Sequence, residues 1–350
     1  MIRLARPWIG AEELEAVREV LESGMLVMGA RVAAFEARLA EISGRRHAIA
    51  CGSGTAALEL ALEALGVTDG EVLCPALSWP SPAHAIARSG AVPVLYDVDP
   101  TTWNGAPDGA ARARTERTRA AIVIDQLGMP SPHPETDLPT IVDAACSIGA
   151  TVDGAPAPSR GLVACLSFHP RKLLTTGEGG ACLTDDDGIA DTLRVLRNHG
   201  QKDGGFARPA GNQRMTEMAA AMGLAQLDRL DAIVARRRTL ADRYREVLSP
   251  DRVQRPPREG VVSNWQTFGV LSDRRDEVVA ALRAEGIEAG RLSFAMNRIG
   301  SLRGRFRAGS DGFPVAEGLE DRGLALPLHP QMTDDDQARV IDAMRRVGLT

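Results

Sequence analysis

The chain contains no run of about 18 apolar residues, the length a helix needs to cross a bilayer, so no transmembrane helix is expected. Its N-terminus lacks a basic stretch followed by an apolar one, so no secretion signal is expected and the chain should work in the cytoplasm. Positive charge is not in excess: 41 Lys and Arg face 46 Asp and Glu, for a formal net charge of -5. A nucleic-acid groove ordinarily needs a basic domain, so that class of partner is not expected. The densest basic stretch, RARTERTR at 112–119, is broken by Glu116 and small residues and reads as a solvated loop face. The five cysteines, Cys51, Cys74, Cys146, Cys165 and Cys182, are odd in number and form neither a CxxC nor a zinc-ligand spacing. Each lies in or beside a predicted strand, so buried free thiols are expected, with no disulfide framework and no metal site. Internal repeats and low-complexity segments are also missing.

What is present is ordinary globular material: 350 residues, 44% apolar and 25% charged. That length suits two domains and a large buried core. Residues 12–23 place Leu14, Val17, Val20 and Leu21 on one helical face, with Gly24 as a stop. Residues 31–43 repeat the pattern with Val32, Phe35, Leu39 and Ile42 ahead of Gly44. Strands and helices then alternate: strands at 47–51, 71–74 and 92–96, with helices at 55–65 and 82–88 between them. Short apolar strands follow at 120–124, 140–142, 163–168 and 180–183. This alternation implies a mostly parallel sheet with helices on both faces and ligands at the strands' carboxyl ends.

Residues 98–119 read as a polar connector and 199–216 as a Gly-rich loop. One long helix is expected from Glu217 to about Leu248, with Arg236–Arg238 on its wet face. The Pro-rich stretch 249–260 marks a domain boundary. Beyond it, a strand at 265–271 and helices at 276–285 and 334–347 form a small α+β domain.

Three strings carry chemistry. CGSGTAAL at 51–58 stands between a strand and a helix; Gly52 and Gly54 allow a tight turn, and Thr55 can cap the helix and offer a hydroxyl. Backbone N–H groups at such a helix start bind anions. The string also satisfies G-x-G-x-x-A, but a dinucleotide site wants an acid after the next strand, and that strand runs into Pro75, Ala76 and Leu77. A monophosphate is the better match. IVDAA at 141–145 puts Asp143 at the ligand edge of the sheet. LSFHPRKLLTTGEGG at 166–180 puts Lys172 between an apolar strand and a Gly-rich turn, with Ser167 five residues before it. A lysine in a partly desolvated pocket can have its pKa lowered and act as nucleophile and base. Together the strings offer partners for a phosphate, a pyridine nitrogen and an aldehyde.

With these residues in view, the chain resembles the DegT/DnrJ/EryC1/StrS sugar aminotransferases, within the fold-type I pyridoxal-phosphate enzymes. The resemblance runs from Gly29–Glu36 through SGTAAL (53–58), DAA (143–145) and SFHPRKLLTTGEGG (167–180). It continues through RNHG (197–200), NQRMTEMAAAMGLAQL (212–227), PVAE (314–317) and LALPLHP (324–330). It implies a large three-layer α/β/α domain over 1–248, including the N-terminal helices, and a small C-terminal α+β domain over 249–350. It implies pyridoxal 5′-phosphate held as a Schiff base on Lys172, which also shuttles the proton. Asp143 would pair with the pyridine nitrogen, Gly54, Thr55 and Ser167 would hold the phosphate, and Trp79 would stack on the ring. Asn212 would reach the phosphate of a neighbouring subunit, making a homodimer with shared sites.

The chain departs from the family at three places. Cys146 replaces the usual Gln near the cofactor's phenolic oxygen, DQLG (125–128) replaces HLYG, and Ser293–Phe294 replaces the HY that follows an Arg, here Arg291. With only two tyrosines, tyrosine contacts to a nucleotide sugar are scarce. The expected reaction moves an amino group from L-glutamate or L-glutamine to a keto sugar or keto cyclitol. Two rivals are a same-family enzyme on a non-sugar keto substrate and a non-catalytic sensor. A third, the family's sugar 3-dehydratase, replaces the Schiff-base lysine by His, which Lys172 argues against.

Overall fold

The computed structural model describes residues 1–134 and 136–350. Its centre is a sheet of seven buried strands: β1 (His47–Cys51), β2 (Glu71–Pro75), β3 (Val92–Tyr96), β4 (Thr118–Ile124), β5 (Thr140–Asp143), β6 (Val163–Ser167) and β7 (Gly180–Thr184). An eighth, short strand, Arg307–Ala308, completes it in the order β1-β7-β6-β5-β4-β2-β3-(307–308). Only β7 runs against its neighbours; every other pair in the sheet is parallel. The expected mostly parallel sheet is therefore present.

Successive side chains on a strand face opposite ways, so both faces of the sheet are apolar. Ile49 and Cys51 point to one core with Cys182, while Ala48 and Ala50 point to the other with Ala181 and Leu183. The first face is covered by α3 (Gly54–Ala64), α4 (Ser81–Ser89), α6 (Asp187–Arg197) and α10 (Pro314–Arg322). The second is covered by α2 (Ala30–Ser43), α7 (Glu217–Leu227) and the start of α8 (Leu230–Val247), with α1 (Ala11–Ser23) packed on α7. The result is three layers, α/β/α.

A further core gathers around the antiparallel strands β8 (Phe268–Leu271), β9 (Gly290–Arg291) and β10 (Gly323–Leu326), where β10 pairs with both others. It takes in Val278 and Leu282 of α9 (Arg275–Ala284), Val340 and Met344 of α11 (Asp334–Arg346), Leu240 and Tyr244 of α8, and Ile2. Between these elements, Ala295, Met296, Leu302, Phe313, Ala316 and Leu319 join the large sheet's core instead. Residues 249–350 thus divide their apolar side chains between two cores.

Four expectations need correction. The long helix from Glu217 breaks at Asp228–Arg229 into α7 and α8. Tertiary contacts gather at the break: Gln226 donates to Trp8 O at 2.6 Å, and Arg229 pairs with Glu13 and lies 5.3 Å from the Trp8 ring centroid. The Arg236–Arg238 run is not a wet face. Arg237 is 2% exposed and donates to Trp265 O and Gln266 O at 3.0 and 2.8 Å, while Arg238 donates to Ser263 O at 3.0 Å. The connector 98–119 contains a helix, α5 (Pro107–Ala113), and buries Thr102, Trp103 and Asn104. The strand expected from Trp265 begins only at Phe268, because Trp265 sits at φ 52 in a turn held by Ser263 and Asn264.

Parallel strands are usually joined by a long crossover, most often a helix. Between β4 and β5, the described residues carry one three-residue turn, Gln126–Gly128, whose central Leu127 sits at φ 60. No helix among the described residues is long and apolar enough to cross a membrane.

Candidate active site

The residues singled out from the sequence collect at the carboxyl edge of the parallel strands, as the topology dictates. Gly54 and Thr55 follow β1, Trp79 follows β2, Asp143 ends β5 and Ser167 ends β6, while Lys172 lies in the loop between β6 and β7. Thr55 does not cap α3. Ser53 does, its hydroxyl accepting from Ala56 N at 3.1 Å, and the helix starts one residue earlier than expected. Thr55 Oγ1 instead lies 2.9 Å from Ser81 Oγ, in the first turn of α4. Two helix starts therefore stand side by side, and each presents free N–H groups and the positive end of its dipole. Gly54 is there because nothing larger fits: a Cβ would lie 2.6 Å from Ser167 Cβ.

Asp143 is 7% exposed, and its Oδ1 accepts from Ala145 N at 3.1 Å. Burial pushes its carboxyl up to about 6, against the pull of the Lys172 charge. Lys172 Nζ donates to Cys146 Sγ at 3.2 Å. Here the expected direction is reversed. Burial alone would lower the lysine's pKa, but Cys146 and Asp143 beside it outweigh burial and hold the ammonium above the ordinary lysine range. The chain has one other lysine, Lys202, and it is exposed on the hairpin formed by Gln201–Lys202 and Gly205–Phe206.

Trp79 is 63% exposed, which rules out a core role within the chain, and it meets Phe294 edge-on with ring centroids 5.5 Å apart. Asn212 is exposed in the loop ahead of α7, where its backbone bridges to Asn198. The geometry within one chain does not bring its side chain into the Lys172 cluster through any hydrogen bond among the described residues.

The chain matches the DegT/DnrJ/EryC1/StrS aminotransferase family across residues 7–345. It belongs to that family. It is 33% identical to an aminotransferase, TlmJ, from Streptoalloteichus hindustanus, with 99% of this chain and 98% of that one covered at a TM-score of 0.91. It is 32% identical to a DegT DnrJ EryC1 StrS aminotransferase from Brucella abortus, with coverage of 96% and 95% and a TM-score of 0.90. It is 25% identical to the E coli GDP-4-keto-6-deoxy-D-mannose-3-dehydratase with bound hydrated PLP, with coverage of 98% and 99% and a TM-score of 0.90. Family members use pyridoxal phosphate, and this chain is a pyridoxal-phosphate-dependent aminotransferase.

The aminotransferase's own residues fit that cofactor. There is a buried carboxylate for a ring N–H, an enclosed amine for an aldehyde, and two helix starts with hydroxyls for a phosphate.

The sequence reading missed what holds this set in place. Asp125, at the end of β4, is fully buried; it takes Arg160 at 2.6 Å, Ser131 N at 2.8 Å and Ser147 Oγ at 2.5 Å. Asn264, also fully buried, donates to Cys146 O at 2.8 Å and Ile148 O at 2.7 Å. Together they clamp the turn that follows Asp143 and carries Cys146. Gln126 donates to Ser293 Oγ at 2.8 Å, so two of the aminotransferase's departures from the family pattern touch each other. The departures were readable as changed letters; their mutual contact across 167 positions was not.

Proposed function

We propose that the enzyme moves an amino group from L-glutamate or L-glutamine to a keto sugar, nucleotide-linked, or to a keto cyclitol, in a specialised or cell-envelope biosynthetic pathway in the cytoplasm. It works as a homodimer whose sites are each completed by both subunits. The observation that carries this reading is the enclosed amine of Lys172 beside the buried carboxylate of Asp143 at the sheet's ligand edge.

Pyridoxal phosphate, when bound, supplies an electron sink joined to the carbon that gains or loses the amine. Lys172 would hold the cofactor through its aldehyde, and its amine, once freed, would stand as the base for proton transfer at the donor's α-carbon. Asp143 would accept a ring N–H and keep that nitrogen protonated, which would matter most as negative charge develops on the ring. Gly54, Thr55 and Ser167 would hold the phosphate, and Asn212 from a second copy of the chain would complete its donors. Trp79 would offer a face for the ring, and Cys146 would take the place beside the phenolic oxygen, where its thiol is a weak donor.

The test is borohydride reduction of the purified yellow protein followed by peptide mass spectrometry. The reduced cofactor should sit on Lys172; label on Lys202 overturns the assignment. A panel of keto sugars and keto cyclitols with glutamate and glutamine then identifies the acceptor and donor.

A further inference from the structure

We propose that Cys146 and Lys172 form a reversible covalent sulfur–nitrogen link when the protein meets a hydroperoxide while the lysine amine is free. The consequence, that this link shuts the enzyme off, rests on Lys172 being the cofactor's anchor; the link itself does not.

Four of the five cysteines, Cys51, Cys74, Cys165 and Cys182, are buried, and burial pushes the thiols of Cys51, Cys74 and Cys165 well above their ordinary range. Such thiols are inert. Cys146 alone is partly open to solvent. Its sulfur faces an amine at 3.2 Å, in a chain with only one other lysine. Asn264, on Cys146 O and Ile148 O, and Asp125, on Ser147 Oγ, fix the turn that carries the sulfur. The lysine's flexible four-carbon stem supplies the movement needed to close the remaining gap.

The chemistry balances with a hydroperoxide as the only oxidant. The sulfur attacks one peroxide oxygen and the O–O bond breaks. The departing hydroxide, or alkoxide from an organic hydroperoxide, takes the thiol proton as water or alcohol, leaving a sulfenic acid with sulfur oxidised by two electrons. The Lys172 ammonium first gives up a proton to water; its lone pair then attacks that sulfur, the S–O bond breaks, and hydroxide leaves with a second amine proton as water. An exogenous thiol reverses the link: it attacks the sulfur, the amine leaves with the thiol's proton, and a second thiol resolves the mixed disulfide.

The experiment treats the full-length protein with hydrogen peroxide, blocks free thiols, digests, and looks for the Cys146 and Lys172 peptides joined with the loss of two hydrogens from their summed mass. The joined species should form in the wild type, vanish on treatment with a dithiol, and be missing from Cys146→Ser. Recovery of Cys146 as free thiol, or as sulfinic acid with Lys172 unmodified, overturns the proposal. Prior loading with pyridoxal phosphate should suppress the link. If the link forms equally in loaded protein, the sulfur–nitrogen chemistry stands and the assignment of Lys172 as anchor falls.

Discussion

Asp143 has two opposed effects of pH in one side chain. Its carboxyl, ordinarily near 3.8, is pushed up to about 6 by burial. For the fold, a raised value means that stability is fully present below 3.8 and is lost as pH rises through about 6, a difference of roughly 3 kcal/mol for the buried charge. For the cofactor the sign is reversed, because only the ionised carboxylate pairs with a ring N–H. Cofactor affinity should therefore fall more steeply below pH 6 in the wild type than in Asp143→Asn, by up to about tenfold for each pH unit. Equilibrium dialysis at fixed ionic strength reads this directly, and equal slopes in both proteins would remove Asp143 from the ring nitrogen. In Asp143→Ala, kcat should drop far more than melting temperature, since the ion pair is used most when charge develops. Near-normal turnover would refute the role.

Single elements show how much of this structure the letters carry. The strands of the sheet and the site motifs at their ends were legible, because apolar runs punctuated by Gly and Pro announce both strand and turn. The break between α7 and α8 was not, because no breaker stands there: Gln226, near the end of α7, and Arg229, in the break itself, bind Trp8 and Glu13, over two hundred positions away. Arg237 was misread for the same reason, since its acceptors are backbone carbonyls that no side-chain pattern reveals. Lys172 itself was found, but the direction of its pKa was not, because that depends on where Cys146 and Asp143 sit. The start of α2 gives a testable case. Its N-cap is Gly29, which has no side chain to offer, and Glu217 of α7 supplies the missing acceptor. The Glu217 carboxylate takes Gly29 N, Arg31 N and Val32 N at 2.8, 2.9 and 2.9 Å while only 4% exposed. Glu217→Ala leaves these donors unpaired and should cost on the order of 2 kcal/mol in denaturant unfolding, with Glu217→Gln, which keeps an acceptor, costing less. Equal losses in the two variants would mean that packing, not capping, is what Glu217 provides.

At the scale of the molecule, the open question is where Asn212 acts. It is exposed, and both its own loop and the segment tied to the start of α7 carry large exposed apolar side chains. Phe206, on the hairpin in the same loop, is 75% exposed. Met25 and Val27 are 67% and 63% exposed beside Leu26, whose carbonyl accepts from Glu217 N at 3.2 Å. Apolar surface of this kind is where a partner is expected, and a second copy of the chain would bring Asn212 to the neighbouring site. A phosphate carries two negative charges, and the donors at Gly54, Thr55 and Ser167 leave room for a side-chain amide from outside. The prediction is complementation between two lesions. Lys172→Ala and Asn212→Asp are each expected to be inactive alone, the first for lack of the amine, the second because a carboxylate repels the phosphate. Mixing them under conditions that exchange subunits gives heterodimers in which one site carries both lesions and the other neither, as two-fold symmetry requires. Half the dimers are mixed and half their sites are intact, so activity should climb to about a quarter of wild type. If exchange is verified by mass and no activity returns, Asn212 serves the site of its own chain or none, and the shared-site reading fails while the assignment of Lys172 is untouched.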